Sequence, residues 1–194
     1  LGEKCLTQIL GDFAFAIWDK RNERIFCARD IFGIKPFYYH VSNNIFIFGS
    51  EIRQVLEHPA VNIQPNEGMI AEYLSGHITS KNETLYRDVF RLPPAHYFVV
   101  DSNSFKKQRF WDMKPQERIV YKTDDEYAEH FIEVFGHAVR DRLRCNGTVG
   151  AYLSGGLDSS SIVGMASLLR DKGLQNEIKT FSLIYLSQSE ISKE

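Results

Sequence analysis

The chain has 194 residues, 43% hydrophobic and 25% charged, which is an ordinary globular composition for one or two domains of roughly 100–200 residues each; an aromatic content of 13% argues against disorder, because such rings need a core. A formal net charge of -2 and a pI near 6.3 give no footprint for nucleic acid or an anionic membrane, and no apolar run approaches the roughly 18 residues of a membrane helix. Cys5, Cys27 and Cys145 are odd in number, widely spaced and without a CxxC, which argues against a disulfide framework or zinc site and for a reducing compartment, the cytoplasm.

Leu1 to Leu10 reads as the end of a helix with Leu1, Cys5 and Ile9 on one face, broken by Gly11. Phe13 to Trp18 is a continuous apolar run, as expected of a strand covered on both faces. Asp19 to Glu23 is a polar hairpin connection, and Ile25 to Ala28 is the returning strand. Phe37-Tyr38-Tyr39 and Ile45 to Phe48 are further strands, joined across Ser42-Asn43-Asn44. Ile52 to Glu57 is a short helix ended before Pro59, and Asn66 to Leu74 is a second, with Asn66 as its N-cap. Strands resume near Leu85–Phe90 and His96–Val100, while Lys106-Lys107 reads as a solvated loop.

Met113 to Asp125 is polar, contains Pro115 and is weakly periodic, so a linker belongs there. A long amphipathic helix follows, with Tyr127, Phe131, Val134, Phe135, Ala138, Val139 and Leu143 at steps of three and four and Asp124 or Asp125 placed to cap it. Val149 to Leu153 is a strand, Ser154 to Ser161 a loop opening into a helix near Ile162–Leu169, and Lys179 to Tyr185 another strand.

The segment that carries chemistry is Ser154-Gly155-Gly156-Leu157-Asp158-Ser159-Ser160, between an apolar strand and an amphipathic helix. A helix N-terminus exposes unpaired N–H groups and a partial positive charge, which suit a phosphate. Gly155 and Gly156 permit positive φ and close backbone approach, and Ser154, Ser159 and Ser160 add hydroxyl donors. Asp158 is a carboxylate where phosphates would sit, which makes sense with Mg²⁺ between them, since hard cations bind both kinds of oxygen. The loop lacks the Lys that follows the last Gly of a Walker loop.

SGGLDSS in this setting resembles the pyrophosphate loop of the N-type ATP pyrophosphatases, which cleave ATP between the α- and β-phosphates. Gly11 to Asp19, Ala28-Arg29-Asp30-Ile31-Phe32-Gly33-Ile34-Lys35-Pro36-Phe37-Tyr38-Tyr39 and Phe48 to Ile52 resemble the class II glutamine amidotransferase half of asparagine synthetases. Leu92 to His96 and Phe110-Trp111-Asp112 fit the end of that domain, and Asp141 to Arg144, Val149-Gly150, Leu153 to Ser160 and Thr180-Phe181-Ser182 fit the opening of the synthetase domain.

The resemblance implies a fold that is α+β and then α/β. The C-terminal part of an αββα N-terminal-nucleophile domain (1–113) would be joined by a linker (114–124) to the start of a parallel-sheet ATP-pyrophosphatase domain (125–194). It implies glutamine hydrolysis, ammonia transfer and amidation of aspartate through a β-aspartyl-AMP intermediate. The implied substrates are glutamine, aspartate and ATP, with Mg²⁺ as cofactor, no nucleic acid or membrane partner, and room for a homodimer. It further implies that Leu153 and Leu183 contact the nucleotide and that Asp158 holds Mg²⁺ through the phosphates. The family's glutaminase nucleophile is an N-terminal Cys, whereas residue 1 is Leu and Cys5, Cys27 and Cys145 read as structural. The family's later Mg²⁺-binding Asp and its adenylation-centre Lys and Glu find no match either. The expectation is therefore a partial chain without a catalytic group in its glutaminase part, inactive alone. Arg29 and Asp30 are expected to pair or cap so as to fix their loop, punctuated by Gly33 and Pro36. Two alternatives stay open: a relative on the same plan, such as a β-lactam synthetase or lasso-peptide cyclase, and a non-catalytic truncated product.

Overall fold

The computed structural model describes residues 2–42, 45–114, 118–171 and 176–184. The chain divides into two compact units, Leu1–Gln116 and Glu117–Glu194.

The first unit is built on two antiparallel sheets. One has the order β1-β2-β6-β7, from Ala14–Asp19 (β1), Arg24–Arg29 (β2), His96–Val100 (β6) and Phe105–Arg109 (β7). The other has the order β4-β3-β5, from Tyr38–Ser42 (β3), Ile45–Gly49 (β4) and Phe90–Arg91 (β5). Strand alternation sorts the side chains into layers. Cys27 and Phe98 of the first sheet meet Tyr39 of the second, and Phe37 and Leu92 that flank its strands, in a buried core, with edge-to-face contact between Phe37 and Phe98. The opposite face of the first sheet, with Phe26 and Ala28, packs on Leu6 of a 3-10 helix over Gly2–Thr7. The opposite face of the second packs Tyr38 and Ile47 on Val55 of α1, Ile52–Leu56. The Asn66 carboxamide caps α2, Glu67–Ser75, by accepting from Met69 N–H at 3.3 Å, and Gly76 ends that helix with φ of 70°.

Several expectations are corrected in this unit. The opening helix is a 3-10 turn that buries Leu6, not a face of Cys5 and Ile9; the predicted partner Leu1 lies outside the described residues. β1 is not covered throughout, because it is an edge strand in which Ile17 and Trp18 are 51% and 58% exposed; two-sided burial belongs to its inner neighbour β2. Leu85 to Val89 is not a strand: Asp88 has φ of 61°, and the Thr84 hydroxyl donates to Val89 O at 2.7 Å and accepts from Tyr86 N–H at 3.1 Å, a folded turn. Lys106 and Lys107 lie within β7 rather than in a loop. The Asn43-Asn44 connection and Pro115 lie outside the described residues.

The second unit contains α3 (Asp124–Arg142), β8 (Val149–Tyr152), α4 (Leu157–Asp171) and β9 (Ile178–Phe181), with β8 and β9 parallel. A strand, a helix and a parallel strand form one βαβ unit. Its core is Val139, Leu143, Ala166 and Leu169. α3 meets α4 where Gly136 faces Met165, whose Sδ lies 3.5 Å from the position a Cβ on that glycine would take. Here Thr123, not Asp124 or Asp125, is the N-cap of α3: its hydroxyl accepts from Glu126 N–H, and the Glu126 carboxylate accepts from Thr123 N–H at 3.0 Å. Of the predicted apolar stripe of α3, only Val139 and Leu143 are buried and Phe135 partly so; Tyr127, Phe131, Val134 and Ala138 are exposed. α4 begins at Leu157, five residues before the predicted Ile162, and β9 ends at Phe181, with the expected strand end at Tyr185 outside the described residues.

Candidate functional site

The residues singled out in the sequence converge on the carboxyl end of β8. Leu153 leaves the strand partly buried, and Ser154-Gly155-Gly156 make the turn with φ of 80° at Gly155. Leu157, Asp158, Ser159 and Ser160 form the first turn of α4. Register sets Tyr152 opposite Phe181, so Leu183 follows the end of the neighbouring parallel strand on the same edge. Leu183 is 80% exposed and Leu157 83% exposed, so neither is a core leucine. An open edge beyond the carboxyl ends of parallel strands is where such sheets bind ligands.

The loop's own hydrogen bonds define what it can offer. Ser154 N–H donates to Ser159 Oγ at 3.2 Å, the Ser159 hydroxyl donates to Gly156 O at 3.2 Å, and the two serine oxygens lie 3.0 Å apart. With the Ser159 proton on Gly156 O, the Ser154 hydroxyl is the donor between them, and Ser154 Oγ accepts from Gly156 N–H at 3.4 Å. The first helical bond is Ser160 N–H to Gly156 O at 3.1 Å. Among the described residues, the N–H groups of Gly155, Leu157, Asp158 and Ser159 have no protein acceptor. These are the orphan donors of a helix start, exposed and glycine-flanked, and they suit an anion.

Asp158 is exposed in the same turn and forms no ion pair among the described residues. A bare phosphate would be repelled by that carboxylate, so the donor set fits a phosphate that brings a hard cation with it. No group of three or more His, Cys, Asp or Glu side chains that could hold a metal occurs among the described residues. A Mg²⁺ ion would therefore take one carboxylate from Asp158 and its remaining oxygens from phosphate and water.

Two other concavities lie away from this loop: one of about 720 Å³ in the first unit, beside Trp18 and Phe105, and one of about 380 Å³ in the second, between Glu133 and Met165. The loop itself is an open cradle.

The strand-to-loop junction includes a residue to which the sequence assigned no role. The Ser182 hydroxyl donates to Leu153 O at 2.7 Å, and Leu153 N–H donates to Phe181 O at 2.9 Å. On the turn before β8, the Asn176 carboxamide donates to Cys145 O and Gly147 O at 3.1 and 3.0 Å. Only tertiary pairing brings these partners together; Thr180-Phe181-Ser182 marked a strand and a family resemblance, with no role for the Ser182 hydroxyl.

In the first unit, Arg29 and Asp30 fix the loop that follows β2 by binding backbone. The Arg29 guanidinium donates to the carbonyls of Lys35, Leu92 and Gly33 at 2.7, 2.6 and 2.5 Å. The buried Asp30 carboxylate accepts from Phe32, Ile34 and Lys35 N–H at 3.1, 2.9 and 3.0 Å. Burial lowers the Arg29 pKa from its ordinary value, and the adjacent Asp30 opposes that. Gly33 has φ of 66°, and a Cβ there would lie 2.8 Å from Pro94 Cγ, so the loop closes only over a glycine. Cys27 is buried, and that burial pushes its thiol pKa up, away from a reactive thiolate.

Comparison with known proteins identifies the lineage. The family model for a glutamine amidotransferase domain matches residues 1–111, and that for asparagine synthase matches residues 130–193. The chain belongs to the glutamine-dependent asparagine synthetase family. A Methanocaldococcus jannaschii relative named as an asparagine synthetase is 33% identical over 187 residues, 94% of this chain and 35% of the relative. Asparagine synthetase 3 of Bacillus subtilis is 30% identical over 94% of this chain and 30% of its own length. Amidase chry2 of Gibberella zeae is 32% identical over 89% of this chain and 26% of its own length. The chain thus spans about a quarter to a third of the relatives it matches. No helix among the described residues is long and apolar enough to cross a membrane.

Proposed function

We propose that this chain takes part in the glutamine-dependent, ATP-driven amidation of aspartate, through β-aspartyl-AMP, in asparagine biosynthesis. In this reading residues 1–113 belong to a type-2 amidotransferase domain of the αββα N-terminal-nucleophile class, 114–124 link it onward, and 125–194 open the ATP-pyrophosphatase domain. Ser154, Gly155, Gly156, Leu157, Asp158, Ser159 and Ser160 receive the β,γ-phosphates of ATP, flanked by Leu153 and Leu183. Cytoplasmic placement and homodimer assembly accompany the same reading.

One observation carries it: N–H groups without an acceptor among the described residues, in the first turn of α4, stand beside the Asp158 carboxylate, which forms no ion pair among those residues, at the carboxyl end of a parallel strand. The amides would stabilise charge developing on departing pyrophosphate. Mg²⁺, where bound, supplies further neutralisation of that charge. The Ser154 and Ser159 hydroxyls would exchange their mutual contact for phosphate oxygens. Equilibrium dialysis of the chain against ATP with and without Mg²⁺ tests this. Binding should require Mg²⁺ and fall about tenfold or more in Asp158→Asn, since a charge-assisted contact is removed. Binding that ignores both would count against the assignment.

A second reading is favoured by the fungal amidase match, whose 32% identity lies between the 30% and 33% of two asparagine synthetases. There the same loop would activate a different acceptor carboxylate, and competition by aspartate analogues in the full-length enzyme separates the two.

A further inference from the structure

We propose that Ser182 is a positioning residue for the phosphate-binding amides: its hydroxyl holds the Leu153 carbonyl against β9 and so keeps the Leu157 N–H open for an anionic ligand. The inference rests on the nucleotide reading above and adds to it a residue from the neighbouring strand.

The parallel ladder ends at the pair Tyr152 and Phe181, so Leu153 and Ser182 are the first residues past it. Beyond that point no strand geometry fixes the Leu153 carbonyl. Its N–H is held by Phe181 O, and its C=O by the Ser182 hydroxyl at 2.7 Å. Both polar groups of the residue that launches the loop are thus committed to the β9 side.

The alternative partner for that carbonyl lies four residues on. In a helix extended backward by one turn, Leu157 N–H would donate to Leu153 O. That bond would draw Ser154 to Gly156 toward helical conformation and consume one of the orphan donors. Gly155, at φ of 80°, stands outside any right-handed helix, and Leu157 N–H remains without an acceptor among the described residues. With the Ser182 hydroxyl on it, the Leu153 carbonyl is engaged from the β9 side, and among the described residues it accepts nothing from Leu157 N–H. Threonine would supply the same hydroxyl and suits an extended backbone; alanine would free the carbonyl. Ser182 is exposed, so neither change disturbs a core.

Two measurements on the full chain test this. The first is amide hydrogen exchange at Leu157. Exchange should be fast in the wild type and in Ser182→Thr, and about tenfold slower in Ser182→Ala, where the amide gains Leu153 O. The second is binding of inorganic pyrophosphate with Mg²⁺. The dissociation constant should rise about three- to tenfold in Ser182→Ala and return in Ser182→Thr, with the thermal midpoint unchanged in both. An alanine variant that matches wild type in exchange and binding overturns the proposal, as does a threonine variant that fails to restore them. A wild-type chain that binds no pyrophosphate sinks the nucleotide reading instead, and the exchange data still decide whether Ser182 governs the Leu157 amide.

Discussion

Asp30 shows how a single side chain can hold a loop. It is 1% exposed, and its two oxygens accept three backbone N–H groups within five residues. Asp30→Asn keeps the size but turns an NH₂ toward an amide hydrogen, so urea unfolding should show a loss of about 1.5–3 kcal/mol. Tyr39 makes a second prediction. Burial pushes its phenol pKa up to about 12, and its hydroxyl donates to Asn82 Oδ1 at 3.2 Å. An unfolded tyrosine releases its proton near pH 10, roughly, while the folded chain retains it. Tyr39 therefore contributes fully below about pH 10, and that contribution is lost as the pH rises through about 12. Stability measured across that window should fall less steeply in Tyr39→Phe. The capping roles of Arg29 and Asp30 were legible from their place between β2 and Gly33. That Arg29 reaches Leu92 O, 63 residues away, was not, because nothing local encodes it.

At the scale of elements, local chemistry explains what could be read and what could not. Asn66 and Gly76 mark the ends of α2 because capping depends on a few neighbouring residues. The cap of α3 was misplaced by one or two residues because acidic side chains crowd that turn, while the capping box selects Thr123 with Glu126. Thr123→Ala should destabilise the chain by about 0.5–2 kcal/mol, seen as a lower denaturant midpoint with unchanged slope. The strand β7 escaped recognition because Phe105-Lys106-Lys107-Gln108-Arg109 lacks apolar alternation. It is an edge strand, and charge is what natural edges carry. Its Lys107 ammonium reaches Asn82 Oδ1 at 3.1 Å, and burial lowers its pKa. The segment Ser154–Ser160 was legible as a unit because glycines, hydroxyls and the following helix state one physical requirement, though its last four residues, read as loop, form the first turn of α4. The pairing of Leu153 with Ser182 depends on strand register, which no short window reveals.

For the whole molecule, the two compact units have separate cores, one of aromatic rings in mainly edge-to-face and tilted contact between sheets and one of mainly aliphatic residues between helices and a short parallel ladder. With the proposed linker over 114–124, limited proteolysis should cut there first and leave two resistant pieces; early cleavage inside β2 or α4 would speak against that division. The central claim concerns the amides at the start of α4. The most direct measurement is the backbone amide NMR spectrum of the isotope-labelled chain, titrated with inorganic pyrophosphate and Mg²⁺. The account predicts that the resonances of Gly155, Leu157, Asp158 and Ser159 shift first and furthest, and that removing Mg²⁺ abolishes the shifts. Unmoved resonances at these four positions, or larger movements elsewhere, would contradict it.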